Sequence, residues 1–549
     1  MAVAFVAALL APPSLREARA QERAPAPAAA PKPRVETPVD FIPLPARSVI
    51  RPAIDCAALA SHSFAGLADA PTTIQSATVE AAHDGRAEFC LVKGHVAPAI
   101  QFELRLPTNG YTGRYLQGGC GGTCGVIPSS VTPMCDNRTA FNGAFAVGFE
   151  NSGHVSSDKG WALNAQARED YAYRAAHVFS VAAKTIIATY YGQRPAFSYF
   201  QGCSNGGREA MAESQRYPTD FNGIVAGSPA PYIAEAMERF IWEAKWGHDA
   251  EGRKTFDRPA VELLHAAVLL ACDDLDGLKD GQIDDPRMCR FNPETLVCRP
   301  GVTTGCLSPA QADAARRFYN GPTDAKGRHL YFAGDPYGSE LSWVSGFAEA
   351  GLHMMEEGVR TMIYQNQLSS DVNVRTWKFD AERLNELSRL GAMFDARETD
   401  LRRFKAAGGK LLLWHGAADG PAGMYAIPHY YQQLQKAMGG RTKTRDFARF
   451  FLIPGVDHCS GGYVPYEEDL LGAMVAWVEK GAAPDKVIST AVLKDGAIRK
   501  RPVYPYPTQA RYSGSGDINA AANFGPKEPK GPINDTYDWV GRVSPAGSS

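Results

Sequence analysis

The chain has 549 residues, 45% of them hydrophobic and 21% charged, an ordinary globular composition with enough apolar material for a sizeable core. Its formal net charge of −2 gives no electrostatic footprint for nucleic acid or an anionic membrane surface. Polyanion binders are thereby excluded, while enzymes and small-molecule binding proteins stay open.

Residues 2–11 form a short apolar run, too short to span a bilayer, and Ala18-Arg19-Ala20 then offers a small-x-small cleavage site before Gln21. This predicts an export signal over 1–20, although only Met1 precedes the apolar run and the usual basic region is missing. Residues 21–47, rich in Ala and Pro, read as a flexible linker. No other segment has about 18 consecutive apolar residues, so no membrane span is expected. Eleven cysteines in an exported chain predict disulfides, and the odd count leaves at least one unpaired or intermolecular. No zinc spacing of the CxxC…CxxC kind occurs.

From about Ile54 the pattern is globular. Alternation over 100–106 predicts a strand, and a possible strand at 115–117 runs into a Gly/Cys loop over 118–125. Helical spacing over 170–191 leads to a buried strand at 197–201. Gly202-Cys203-Ser204-Asn205-Gly206 follows, then a helix over 208–217. Strands at 410–414 and 449–453 flank a helical stretch near 430–438. This alternation predicts an α/β fold with a parallel sheet. Residues 228–397 break the rhythm with four cysteines, an Asp/Gly cluster and few strand signals, and read as a lid inserted into the core. The expected organisation is therefore an α/β-hydrolase catalytic domain over 48–227 and 398–549 with a lid domain over 228–397. From Pro502 on, a Pro-, Gly- and Asn-rich tail is expected to wrap the core irregularly.

The G-x-S-x-G pattern matches a nucleophile elbow, where glycines allow a sharp turn that lifts a serine hydroxyl clear of the sheet. The elbow demands the order Ser, acid, His. Asp419 follows one downstream strand and His458 the next, in loops where such sites assemble. Ser204 is then the nucleophile, His458 the base and Asp419 its orienting acid. His415 competes as base, though its place at a strand end suits structural hydrogen bonding, and Asp457 competes as acid, though a turn role suits it better. The oxyanion hole is expected from the N–H of Asn205 and from the Gly/Cys loop, with Gly121 the first choice and Gly119 the second. Cys203 and Cys459 each flank a triad member, so they are either a disulfide or two buried thiols.

Together these residues resemble the tannase/feruloyl esterase family, which includes mono(hydroxyethyl) terephthalate hydrolase-like enzymes. The likeness runs from about Cys56 to Phe524 and is most specific at Cys203-Ser204, Asp419 and His458-Cys459. It implies the Cys203–Cys459, Cys56–Cys90, Cys272–Cys289 and Cys298–Cys306 bonds. Separately, Cys124–Cys135 is expected within the Gly/Cys loop, leaving Cys120 free. The resemblance also implies a structural Ca²⁺ in the lid, held by Asp273, Asp276 and Asp280 with the carbonyls of Leu278 and Gln282; hard carboxylate and carbonyl oxygens suit that ion. No glutamate closes this loop at the twelfth position, so it is not an EF-hand. Two departures stand out. Tyr504 and Pro526 occupy places where family members often carry a further disulfide, and the Asn205 side chain is free to alter specificity. Arg375 does not align securely with the carboxylate-gripping arginine of the terephthalate-monoester enzymes.

The resulting expectation is a secreted serine carboxylesterase acting on a small aromatic ester, such as a gallate or ferulate ester, through an acyl-enzyme, with no organic cofactor. Trp343, Phe347 and Trp377 are candidate ring-binding walls, although core roles suit them better. The alternatives are a terephthalate-monoester hydrolase or broad aryl esterase, a peptidase, and a non-catalytic binding protein on the same scaffold. Nothing in the sequence suggests the propeller or repeats that would favour the peptidase.

Overall fold

The computed structural model describes residues 37–130, 137–344, 347–420, 423–529 and 539–540. The export signal at 1–20, most of the 21–47 linker and Cys135 lie outside them. The strands are β1 (Thr72–Glu80), β2 (Phe89–Val96), β3 (Ile100–Pro107), β4 (Arg114–Gly118), β5 (Phe145–Glu150), β6 (Phe197–Cys203), β7 (Gly223–Gly227), β8 (Lys410–Gly416) and β9 (Ala448–Ile453). They form one sheet in the order β1-β2-β3-β5-β4-β6-β7-β8-β9. The β1-β2-β3-β5 edge is antiparallel, and every pairing from β5 through β9 is parallel.

Burial explains the difference in sequence texture. Edge strand β1 is mostly exposed, whereas β4, β5 and β7 are buried throughout; β7 reads as an unbroken apolar run, while β4 and β5 also bury Arg114, Gln117 and Glu150. Along β8, Leu411 and Leu413 join a core cluster containing Phe179, Ile186 and Tyr430, while Leu412 and Trp414 join another containing Phe451, Met474 and Trp477. The period-two alternation thus feeds two cores, one on each face. Helices Ala175–Tyr191 and Ala426–Ala437 supply the first cluster and Leu470–Lys480 the second. Each fully buried Leu contributes about 2 kcal/mol of burial free energy.

Between β7 and β8 the described chain holds no named strand; its principal helices are Ile233–Trp246, Arg258–Cys272, Pro309–Asn320 and Ala381–Gly391. Local chemistry starts two of these. The Asp257 side chain caps Ala260 N–H, and Ser308 with Gln311 forms a reciprocal capping box. Cys272–Cys289 and Cys298–Cys306 close short loops inside this insert. Cys56–Cys90 ties the turn Cys56–Ser61 to β2.

The C-terminal tail is more regular than expected. Pro502 lies in a strand, Ile498–Val503, paired with Val487–Val492, and Gln509–Tyr512 pairs antiparallel with Phe524–Lys527. Tail composition suggested irregular wrapping, but backbone pairing to a neighbouring strand satisfies these N–H and C=O groups instead.

Candidate active site

Ser204 stands between β6 and the helix Asn205–Arg216 with φ 63° and ψ −123°, a left-handed conformation that a non-glycine residue adopts only under strong constraint. The flanking glycines are required by close approach. A Cβ on Gly202 would lie 2.4 Å from Gly206 O, and one on Gly206 would lie 2.9 Å from the Gly119 carbonyl carbon. The elbow is pinned by Ser204 N–H to Gly227 O at 3.0 Å, across to β7.

Asp419 follows β8 and is fully buried; His458 follows β9. His458 Nδ1 lies 2.9 Å from Asp419 Oδ2. Burial pushes the Asp419 pKa up, but the facing His458 and His415 rings outweigh it and hold the carboxylate well below its usual range. For His458, burial pulls the pKa down, and the Asp419 charge and hydrogen bond more than reverse that, leaving the imidazole above its ordinary value. A ring paired in this way and still partly open to the cleft is suited to accept and return a proton.

The competing residues fall into other roles. His415 Nε2 also approaches Asp419, at 3.2 Å, but its side chain is sealed from solvent. Asp457 accepts the backbone N–H of His458 at 2.8 Å, and burial followed by the Asp419 charge pushes its pKa up to about 7. It shapes the turn rather than orienting the ring. Cys203–Cys459 is a bond, with Cα atoms 5.8 Å apart, joining the residue before Ser204 to the residue after His458.

Ser204 and His458 open on one cleft. Its other walls are Gly122, Thr123, Tyr171, Asn205, Ala230, Ile233, Ala236, Met237, Phe240, Met354 and Met362, and His458 is the one titratable group besides the Tyr171 phenol. Burial pushes that phenol up to about 12, so it stays neutral. Residues 233, 236, 237 and 240 carry the i, i+3, i+4, i+7 spacing of one helix face, a signal present in the sequence right after β7. Two π-helical stretches, Asp170–Arg174 and Met354–Ile363, deliver Tyr171 and the two methionines. Such widened turns are frequent at functional sites. Trp343 and Trp377 do not line this cleft: Trp343 is buried in another apolar cluster, and Trp377 is buried in the cluster that also holds Tyr171, Met237 and Met362, its Nε1 donating to Glu238. The side chain of Phe347 lies outside the described residues.

The Gly/Cys loop differs from expectation at its cysteines. Cys120 bonds Cys124, so Cys120 is not free and Cys124 is not available to Cys135. The four-residue separation closes readily because Cys124 takes a positive φ of 60°, folding the loop back on itself. Within the loop, Gly119 N–H donates to Gln201 O and Cys120 N–H to Glu209 Oε2, whereas no partner for Gly121 N–H is found among the described residues. The Asn205 side chain also departs from expectation. Its carboxamide is engaged within the protein, donating to Cys120 O and Glu209 Oε1 and accepting from Arg208 Nε.

The acidic loop of the insert is less tidy. Asp273 accepts N–H bonds from Asp280, Gly281 and Gln282, and Asp280 pairs with Arg499 and Arg501. Among the described residues, no three His, Cys, Asp or Glu side chains converge closely enough to chelate a metal. Even so, Asp276, Leu278, Asp280 and Asp284 line one small cavity, and Asp280 Oδ1 is buried there without a hydrogen-bond partner. Burial and the nearby Asp284 push Asp276 up to about 8. Arg501 and Arg511 line the same cavity, so the carboxylate oxygens that would suit a hard cation already share the space with two guanidiniums.

No helix among the described residues is long and apolar enough to cross a membrane. Comparison with known proteins agrees with the geometry. The family model "Tannase and feruloyl esterase" matches residues 85–526. The chain is 32% identical over 519 residues to the mono(2-hydroxyethyl) terephthalate hydrolase of Piscinibacter sakaiensis, covering 80% of this chain and 84% of that one. It is 30% identical over 435 residues to the probable feruloyl esterase B-2 of Aspergillus flavus, covering 72% and 78%. The crystal structure of feruloyl esterase B from Aspergillus oryzae superposes with a TM-score of 0.73 at 26% identity, covering 86% of this chain and all of that one. With an α/β-hydrolase sheet, an elbow serine and this match, the chain belongs to the tannase and feruloyl esterase family and is a carboxylic ester hydrolase.

Proposed function

We propose that the protein is an exported serine esterase that cleaves esters of uncharged phenolic acids through an acyl-enzyme. One observation carries the reading: Ser204 and an Asp419-bound His458 share a cleft whose remaining walls hold no charged side chain. In this mechanism Ser204 Oγ attacks the ester carbonyl as His458 Nε2 takes its proton. The N–H groups of Asn205 and Gly121 receive the oxyanion. Asn205 N–H belongs to the first helical turn, where backbone donors lack intrahelical partners. Gly119 is the weaker candidate because its N–H already serves Gln201. His458 then protonates the leaving alcohol, and water activated by the same ring releases the acid.

The Ile233, Met237, Phe240, Met354 and Met362 walls favour an aromatic ring without a carboxylate, since an unpaired charge there would lose its hydration with nothing in return. That weighs toward ferulate-like acyl groups over a terephthalate monoester. Five disulfides fit an oxidising compartment, consistent with export. A structural Ca²⁺ belongs to the same proposal, held by Asp273, Asp276 and Asp280 with the carbonyls of Leu278 and Gln282, and with Asp284 adding its charge. When bound, it would neutralise buried acid in the insert.

The test is hydrolysis of methyl ferulate, methyl gallate and a terephthalate monoester, by the wild type and by Ser204→Ala. The expected order places methyl ferulate first by kcat/KM, with activity abolished in Ser204→Ala. Undiminished hydrolysis by Ser204→Ala would remove the nucleophile, and a preference for the terephthalate monoester would overturn the uncharged-acyl reading.

A further inference from the structure

Behind the cleft, and outside the triad, Glu209 occupies a position the reaction itself does not call for. It lies four residues after Asn205 on the same helix, so the two side chains share one face. Its two carboxylate oxygens point in two useful directions. Oε2 accepts Cys120 N–H at 3.0 Å, immediately before Gly121 in the loop. Oε1 accepts Asn205 Nδ2 at 2.9 Å and Ser152 Oγ at 3.2 Å. Asn205 Nδ2 in turn reaches Cys120 O at 3.1 Å, closing a ring of contacts between the elbow helix and the Gly/Cys loop.

The anchor beneath this ring is rigid. Arg208 Nε donates to Asn205 Oδ1 at 2.7 Å, and its other nitrogens bond the carbonyls of Tyr171, Ala172 and Phe394. Cys120, Asn205, Arg208 and Glu209 are all at most 5% exposed. At that burial a lost partner leaves a polar group unsatisfied, so each bond holds its geometry strongly. The Cys120–Cys124 bond restricts the loop from its far side.

We infer that Glu209 is a positioning residue for the oxyanion hole. Through Cys120 N–H and the Asn205 side chain it sets the spacing between the Gly121 and Asn205 donors. The inference rests on the proposed role of Ser204 and adds the residue that aligns its two backbone donors. Oxyanion donors act on charge that appears only in the transition state, so misplacing them lowers kcat and leaves ground-state binding alone.

The test uses Glu209→Gln in the full chain. Glutamine keeps the shape but must turn an NH₂ toward either Cys120 N–H or Asn205 Nδ2, both of which are donors. The expected result is kcat lower by about 10- to 100-fold, with KM for methyl ferulate within about twofold. Affinity for an aryl boronic acid, which forms a tetrahedral adduct on Ser204, should fall by a similar factor, while inhibition by ferulic acid stays unchanged. Asn205→Ala keeps its backbone donor but loses the same ring and should show the same split. The double variant should be no worse than the weaker single one, because the two side chains act as a unit. Wild-type kcat and boronate affinity in Glu209→Gln would overturn the inference, as would a parallel loss of ferulic acid affinity. If Glu209→Gln does not fold, wild-type kcat in Asn205→Ala overturns it. Failure of the underlying reading looks different: Ser204→Ala would keep its activity, or the wild type would not bind the boronate.

Discussion

Replacing Cys203 and Cys459 together by alanine cuts the covalent link between the nucleophile elbow and the histidine loop. The bond closes a loop of 256 residues. Chain-entropy arithmetic for such a loop gives about 5.5 kcal/mol at 25 °C. The two small disulfides inside it, spanning 17 and 8 residues, shorten the effective loop so little that the figure changes by only about 0.1 kcal/mol. Spread over roughly 500 ordered residues at about 2.1 cal/mol/K each, the loss corresponds to a melting temperature about 5 °C lower. The bond also sits one residue from each reacting group, so its loss should relax the Ser204–His458 approach. A displacement of about 1 Å there costs on the order of 100-fold in rate. Differential scanning calorimetry and methyl ferulate kinetics on the double variant check both numbers. A melting temperature within about 1 °C of wild type, together with unchanged kcat, would refute the idea that this bond braces the site.

Asp419→Asn should lower kcat by about 10⁴-fold, because the amide cannot hold His458 in the required tautomer or stabilise its cation; more than a tenth of wild-type kcat would exclude Asp419 as the orienting acid. The acid limb of kcat/KM should have its midpoint above about 6.5, the ordinary imidazole value, since Asp419 raises His458, and a pH–rate profile with a lower midpoint would contradict the pairing. The depressed Asp419 carboxylate adds stability that is fully present above about pH 3.9 and is lost as pH falls through its folded value. Urea titrations of wild type against Asp419→Asn should therefore show a gap at pH 5 that closes in strong acid. Ala236→Phe narrows the cleft and should raise KM for methyl ferulate about tenfold while moving that for p-nitrophenyl acetate far less; equal effects would mean the ring binds elsewhere. Removing Ca²⁺ with a chelator should lower the melting temperature, and an unchanged value after verified metal removal would exclude a structural site.

Much of the site was legible because its parts are local in sequence. The elbow needs glycine at positions 202 and 206, where backbones touch, and that requirement is visible in five letters. Asp419 and His458 sit a few residues beyond apolar runs that become buried strands whatever else surrounds them. The parallel core was readable in part for the same reason: the apolar runs at 197–201, 410–414 and 449–453 were legible as strands, whereas β5 and β7 were not.

What the sequence alone could not decide depended on distant contacts. Cysteine spacing does not rank Cys120–Cys124 against Cys124–Cys135; the loop's backbone path does. The tail reads as irregular by composition, yet Gln509–Tyr512 finds a partner in Phe524–Lys527. Trp343 and Trp377 are ring-binder candidates by residue type, but packing buries Trp343 in another core and Trp377 within the cleft's own cluster, and leaves the cleft lining to Tyr171, Phe240, methionines and aliphatics. Asn205 shows the division most clearly. Its place after the nucleophile is written in the chain, but the direction of its side chain is set by Glu209, Cys120 and Arg208, three partners buried with it.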